Sequence, residues 1–125
     1  SPMFYSTLKQ NGYSFTKQNL FKEFSEPINI GSDCWIGQRV FLAGGINISD
    51  GAIILGGAFV VSDVPPFAIV GGVPAKVIGY RYDNETINYL LKIKWWNKDL
   101  AWLEENWMLL NDIYKLKEKI KQYDD

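Results

Sequence analysis

Residues 30–60 read IGSDCW IGQRVF LAGGIN ISDGAI ILGGAF V when they are written in blocks of six. The first place of each block, or hexad, holds a large aliphatic residue: Ile30, Ile36, Leu42, Ile48, Ile54 and Val60. The fifth place is small or aliphatic: Cys34, Val40, Ile46, Ala52, Ala58 and Val64. Phe24 and Ile28 continue both columns one hexad earlier, so the repeat is expected to run from Phe24 to Pro65. A fixed period of this kind is the sequence mark of a parallel β-helix.

The spacing itself explains this architecture. Strand residues alternate between two faces, so six residues can hold one short strand and one turn. The aliphatic residues of the first and fifth places then point inward, and Gly, Ser, Asp and Asn occupy the turns. Three hexads would close one triangular coil of about 18 residues, stacked on the next at about 4.8 Å. The period and the glycine content exclude a helix, and the strict register disfavours a generic β-sandwich.

The chain divides into three regions: residues 1–23, polar and aromatic; residues 24–79, with the hexads and a closing strand; and residues 80–125, helical. The segment from Val70 to Ile78 is expected to form a loop followed by the short closing strand. The predicted helix N-caps are Asp83 or Asn84, then Asn97, then Asp112. The apolar stripes expected on the three helices are Ile87, Leu90 and Leu91; Leu100, Leu103 and Trp107; and Ile113, Leu116 and Ile120.

The composition excludes several classes of function. The chain has 125 residues, no histidine, one cysteine and a formal net charge of −1. A near-neutral chain is not expected to bind nucleic acid through a basic surface. Without histidine, no Ser-His-Asp or Cys-His system can be completed within the chain, and no metal site is expected. The lone Cys34 excludes an internal disulfide, and neither a membrane-spanning run nor a signal peptide is present, so a cytoplasmic location is the default expectation.

The repeat and the residues that follow it resemble a known family. The hexads followed by Ile69-Val-Gly-Gly-Val-Pro-Ala-Lys-Val-Ile78 look like the end of the hexapeptide-repeat acyltransferases. Trp95-Trp96-Asn97, and Phe4-Tyr5-Ser6 ahead of a loop that ends at Phe24, are similar to the xenobiotic and polysaccharide O-acetyltransferase branch. The resemblance covers nearly the whole chain, to about Asn111, as a C-terminal portion of such a protein.

The resemblance implies a left-handed parallel β-helix with a C-terminal α-helical extension. It also implies a homotrimer whose clefts between subunits bind acetyl-coenzyme A, and a histidine that acts as general base on an acceptor hydroxyl. Such a base is chemically reasonable, because a hydroxyl is a weak nucleophile and a group with a pKa near neutrality can take its proton during attack. The implied acceptor is a sugar of a polysaccharide or an antibiotic.

The sequence departs from this family at one decisive place, because the expected His-Pro is absent and the chain opens with Ser1-Pro2. Two interpretations stay open. In one, the chain is a C-terminal fragment and the base lies in coils that precede Ser1. In the other, the protein is a catalytically inactive relative whose β-helix serves trimer assembly or coenzyme binding. A γ-type carbonic anhydrase of the same fold is set aside, since it needs three histidine ligands.

The resemblance assigns candidate site residues to this chain. Those expected to contact the coenzyme are Trp35, Gly56, Gly57, Ala58, Ala75, Lys76 and Arg81. The glycines would let the pantetheine arm approach the main chain, whereas Lys76, assisted by Arg81, would pair with the 3′-phosphate. Trp35 lies at an outward place of its hexad, where it could wall the cleft or fill the trimer interface. Phe4 and Tyr5 could line the acceptor pocket, although loop packing explains them equally well.

Overall fold

The computed structural model describes residue 4, residues 7–9, residue 12 and residues 14–18 and 26–124. Over residues 26–124, eight short strands are followed by three α-helices. The strands are β1 Asn29–Ile30, β2 Trp35–Ile36, β3 Phe41–Leu42, β4 Asn47–Ile48, β5 Ile53–Ile54, β6 Phe59–Val60, β7 Ala68–Gly71 and β8 Lys76–Tyr80. The helices are α1 Asn84–Ile93, α2 Leu100–Asn106 and α3 Ile113–Asp124, with 3-10 turns at Trp95–Asn97 and Leu109–Asn111.

The hexads build three parallel sheets that the chain visits in rotation. Strand β1 pairs with β4, β2 with β5 and β3 with β6, always in parallel. In each pair the partners are 18 residues apart, as Ile36 opposite Ile54 shows. The chain therefore returns to the same sheet after three hexads, as the spacing predicts. We call these the first sheet (β1, β4), the second sheet (β2, β5, β7, β8) and the third sheet (β3, β6).

The repeat loses its register earlier than the sequence predicts. Val64, assigned to the fifth column beneath Ile46, bridges Ile48 of the first column instead. Val64 donates its N–H to Asn47 (2.9 Å) and accepts from Ser49 (3.1 Å), so it takes the ladder position itself. Pro65 and Pro66 follow at once and have no N–H to donate to the coil above. The second coil, which starts at Ile48, is therefore two residues shorter than the first, and β7 pairs with β5 at the same offset of 16.

The inward columns form the core of the coil, and burial increases from the first coil to the second. Ile48, Ile54 and Val60 are at most 2% exposed, whereas Ile30 and Ile36 of the first coil are 50% and 38% exposed. The fifth-column residues Ile46, Ala52 and Ala58 are also buried, as predicted.

A second apolar cluster joins the helices to the coil. Its centre is Phe67, 1% exposed, which contacts Ile87, Leu90 and Ile113. Trp95 and Trp96 pack against it. A Cβ on Gly51 would overlap the Phe67 ring, so glycine is required where the ring meets the second coil. Antiparallel strand β8 closes the second sheet just before these helices.

The predicted helices are present, but the second one differs in cap and in buried face. Its N-cap is Asp99, whose carboxylate accepts from Trp102 N at 2.9 Å, and not Asn97, which lies in a 3-10 turn. The predicted stripe is wrong at both ends, because Leu100 is 70% and Trp107 57% exposed. The physical reason is length: the helix ends at Asn106, so Trp107 lies beyond its last turn.

Candidate functional site

Glycines form the edge at which the chain passes from the second sheet to the third. Gly37 follows β2, Gly56 and Gly57 follow β5, and Gly71 and Gly72 lie at the end of β7. A Cβ on Gly37 would lie 2.6 Å from Gly56 N and 2.9 Å from Gly56 Cα, so successive coils touch here through their main chains. We call these five residues the glycine corner. Its glycines leave the backbone accessible, and a long, thin ligand could lie along it.

The backbone donors of the glycine corner are partly engaged within the coil. Gly57 N donates to Gln38 O at 2.8 Å, and Ala58 N donates to Leu55 O at 3.2 Å. The Ala58 side chain is fully buried and faces the core. Gly57 adopts φ +76° with open space around its Cα. Contact of Gly56, Gly57 and Ala58 with a coenzyme stays a prediction. Because the N–H groups of Gly57 and Ala58 already donate within the coil, contact there would depend on close approach to the backbone and not on new hydrogen bonds.

Exposed aromatic side chains flank the glycine corner. Trp35 on β2 is 57% exposed, and Phe41 on β3 is 61% exposed. The Phe41 ring stacks on Phe59 of the next coil, with ring centroids 5.5 Å apart. Sequence reasoning selected Trp35 but missed Phe41 and Phe59. The signal was available, since all three occupy the outward sixth place of their hexads.

A cavity of about 220 Å³ lies where the third coil meets β8, and it brings Ala75 and Lys76 together. It is lined by Val60, Val61, Ser62, Asp63, Val64, Val70, Ala75, Lys76 and Val77. Ala75 N donates to Phe59 O at 2.9 Å, which ties the loop after the glycine corner to the third sheet. Lys76 is exposed and forms no salt bridge with any residue that the structure describes. The cavity thus offers an ammonium group close to the last glycines of the corner.

The structure places Arg81 away from this cavity. Its guanidinium donates to Asp33 Oδ2 at 3.1 Å, to Asp33 O at 3.3 Å and to Gly51 O at 3.0 Å. Asp33 is therefore ion-paired with Arg81. Arg81 and Asp33 line a different, smaller cavity of about 130 Å³ beside Phe67 and the helices.

A cation that sequence reasoning missed lies at the glycine corner. Arg39 occupies the same place in the first coil as Gly57 in the second, 18 residues later, and both are left-handed, at φ 55° and 76°. Arg39 is exposed and lies in the turn between β2 and β3, where the chain passes from the second sheet to the third. The two cations nearest to the corner in sequence are therefore Arg39 at one end and Lys76 at the other.

Of the two residues predicted for the acceptor pocket, the structure describes only Phe4. Phe4 is 59% exposed and stacks on Phe15, which is 73% exposed, with centroids 5.9 Å apart. Tyr5 lies outside the described residues. Phe15 is thus a second aromatic residue of this region that sequence reasoning did not select.

The chain itself offers little acid–base or nucleophilic chemistry. It contains no histidine. Burial raises the pKa of the Cys34 thiol, whose Sγ donates to Ser49 O at 3.2 Å, so the thiolate is disfavoured. Within the described ranges, no three His, Cys, Asp or Glu side chains are grouped as metal ligands would be. Over the same ranges, none of the helices has the length and apolar character needed to cross a membrane.

A three-sided stack of hexads with a glycine corner defines the class, a hexapeptide-repeat protein, and comparisons with known proteins place it further. No family model matches the chain. The chain is 42% identical over 94 residues, 75% of its length and 52% of the relative's, to a probable macrolide acetyltransferase of Lysinibacillus sphaericus. It is 51% identical over 67 residues to a chloramphenicol acetyltransferase of Agrobacterium fabrum, covering 54% of this chain and 32% of that protein.

A galactoside O-acetyltransferase of Escherichia coli is 37% identical over 71 residues, covering 57% of this chain and 35% of that protein. The chain thus spans about a third to a half of the length of these relatives. The resemblance seen in the sequence is confirmed, because proteins named as acetyltransferases are similar to this chain, which matches them as a C-terminal portion.

Proposed function

We propose that this chain forms the coenzyme-binding part of an acetyl-coenzyme A-dependent O-acetyltransferase. The acceptor is a hydroxyl of a sugar, a polysaccharide or an antibiotic. The repeats belong to a left-handed parallel β-helix, and three copies assemble in the cytoplasm into a homotrimer with the glycine corner at the cleft between subunits. The general base is a histidine outside these 125 residues, since the chain has none.

One observation carries this proposal: Lys76, which lines the cavity together with Ala75, is the register partner of Gly71 in the glycine corner. A pantetheine arm is long and thin and suits an edge where glycines leave the backbone accessible, and the coenzyme carries a 3′-phosphate that suits an ammonium group. The names of the relatives, which include antibiotic and galactoside acetyltransferases, support acetyl transfer to a hydroxyl. The half-exposed Ile30 and Ile36 support further coils above the first, where the base would lie.

The experiment compares acetyl-coenzyme A with its 3′-dephospho form, using the full-length natural protein in a thiol-release assay. Lys76→Met should raise KM for acetyl-coenzyme A roughly tenfold, the cost of one charge-assisted hydrogen bond, with kcat nearly unchanged. The same substitution should leave KM for the dephospho form unaltered. Lys92→Met, which changes an exposed lysine of α1, is the matched control and should change neither value. Equal losses with both donors would refute the phosphate contact.

The alternative function is an inactive trimeric β-helix module without the general base. It is favoured by the absence of histidine from the chain. Thiol release by the full-length protein with chloramphenicol, a macrolide and a galactoside separates the two. Release with any of the three supports the enzyme. Trimers that bind acetyl-coenzyme A in calorimetry but release no thiol support the module.

A further inference from the structure

Arg81 joins parts of the chain that are far apart in sequence. Its Nη1 contacts Asp33 of the first coil and Gly51 of the second, 48 and 30 residues away. The guanidinium carbon lies 5.4 Å from the ring centroids of both Phe67 and Tyr82, a distance at which cation–π attraction operates. Only 22% of the Arg81 side chain is exposed. Acceptors and aromatic rings therefore surround the guanidinium, which fixes its position.

The partner, Asp33, stands in a turn with an unfavourable backbone. Its φ is 58°, in the left-handed region, which residues other than glycine adopt uncommonly, although Asp and Asn adopt it more often than most. The turn is held from below, because Ser32 N donates to Asp50 Oδ1 at 2.8 Å and Gly51 N donates to Ser32 O at 2.8 Å. Arg81 adds bonds to both the carbonyl and the carboxylate of Asp33, which secures the left-handed residue itself.

This turn leads directly into Trp35. Two residues after Asp33, Trp35 begins β2 and donates its N–H to Ala52 O at 2.9 Å. Its side chain stands 57% exposed on the second sheet, at the first-coil end of the glycine corner. A change in the backbone of Asp33 would therefore alter the place from which the indole projects.

We infer that Arg81 is a positioning residue: it holds the Asp33 turn in its left-handed form and thereby orients Trp35 beside the coenzyme. This inference rests on the proposed function for the coenzyme, but the positioning itself does not. It replaces the expectation that Arg81 pairs with the 3′-phosphate. The guanidinium lies with Asp33 in the cavity beside Phe67, whereas Lys76 lines the cavity at the glycine corner.

The test uses the full-length protein labelled with 5-fluorotryptophan and observed by ¹⁹F NMR. Trp35→Phe identifies the Trp35 signal. Arg81→Met should shift or broaden that signal, whereas the signal of Trp107, an exposed residue after α2, should stay in place. Asp33→Asn in the Arg81→Met background should restore the Trp35 signal, because asparagine tolerates the left-handed region and needs no counter-ion. Arg81→Lys, which keeps the charge and one donor, should give an intermediate shift and serves if the methionine variant does not fold.

Kinetics separate positioning from direct contact. Arg81→Met should raise KM for acetyl-coenzyme A and for its dephospho form by the same factor, roughly three- to tenfold. The Asp33→Asn rescue should reverse both. A Trp35 signal that stays unmoved in Arg81→Met, or a KM effect limited to the donor with the 3′-phosphate, would overturn the inference. If the wild-type protein transfers no acetyl group, the proposed function fails, and the ¹⁹F signals alone still decide whether Arg81 positions Trp35.

Discussion

At the scale of single residues, the glycine corner depends on contact between backbones. The nearest atoms to a Cβ placed on Gly37 are Gly56 N and Gly56 Cα, at 2.6 and 2.9 Å, and neither can move without shifting the coil. We expect Gly37→Ala to lower the free energy of unfolding by about 1–3 kcal/mol, the usual cost of overpacking. Urea unfolding of the full-length protein measures it.

The matched control for this substitution is Gly79→Ala. Gly79 lies in β8, and a Cβ there would meet no atom within 4 Å. Because alanine restricts the unfolded chain more than glycine does, this change should leave stability unchanged or raise it slightly. If both substitutions lowered the free energy of unfolding equally, the close approach of Gly37 to Gly56 would not be the cause of the Gly37→Ala effect.

The sequence predicts the positions of residues that belong to the repeat, but it does not predict contacts that occur only once in the chain. The burial of Ile48 and Ile54 follows from the period, because each hexad places an aliphatic residue in the same inward column. The pair of Asp33 and Arg81 has no such signal, since 48 residues separate them and nothing local requires either charge. The same holds for Arg39, whose place at the glycine corner becomes visible only when the coils are stacked.

At the scale of elements, helix α1 begins at Asp83, one of the two N-caps that the sequence predicts. The Asp83 carboxylate accepts from Thr86 N at 2.7 Å. The Thr86 side chain and this backbone N–H both lower the pKa of Asp83. A depressed folded-state pKa means that the cap contributes stability above the unfolded-state pKa. The contribution is lost as the pH falls through the folded-state pKa, below about pH 4.

Two substitutions at Asp83 test this cap. Asp83→Ala should destabilise the protein at neutral pH, because Thr86 N loses its acceptor. Asp83→Asn should retain most of the stability, since asparagine caps about as well, but it should remove the titration. The advantage of wild type over Asp83→Asn should therefore shrink in acid, as thermal unfolding between pH 3 and pH 7 would reveal. A difference independent of pH would contradict the assignment.

Helix α2 shows where pattern reasoning fails at this scale. Asn97 and Asp99 are both good caps, and the choice between them depends on where the chain leaves α1. Lys94 ends α1 in a left-handed conformation (φ 45°), and Trp95–Asn97 continue as a 3-10 turn that packs toward Phe67. Because tertiary packing uses Asn97 in that turn, the helix starts later and turns another face to the core.

At the scale of the whole molecule, the stacked coils share one apolar core whose burial is uneven. Ile54 is fully buried between coils, whereas Ile36, its partner one coil above, is 38% exposed. Both belong to the same column, and the described residues place no strand on the far side of β2. A column of this kind is completed when another coil stacks on it, as solenoids require.

The difference between Ile36 and Ile54 gives a direct test of that further coil. In the 125-residue chain, Ile54→Ala should cost about 2–5 kcal/mol of unfolding free energy, the usual range for a buried isoleucine, and Ile36→Ala clearly less. In the full-length protein, Ile36→Ala should become as costly as Ile54→Ala, because a preceding coil would bury it. Urea unfolding of both variants in both proteins measures the four values. An Ile36→Ala cost that stays low in the full-length protein would show that no coil covers β2, and the proposed place of the missing base would then be wrong.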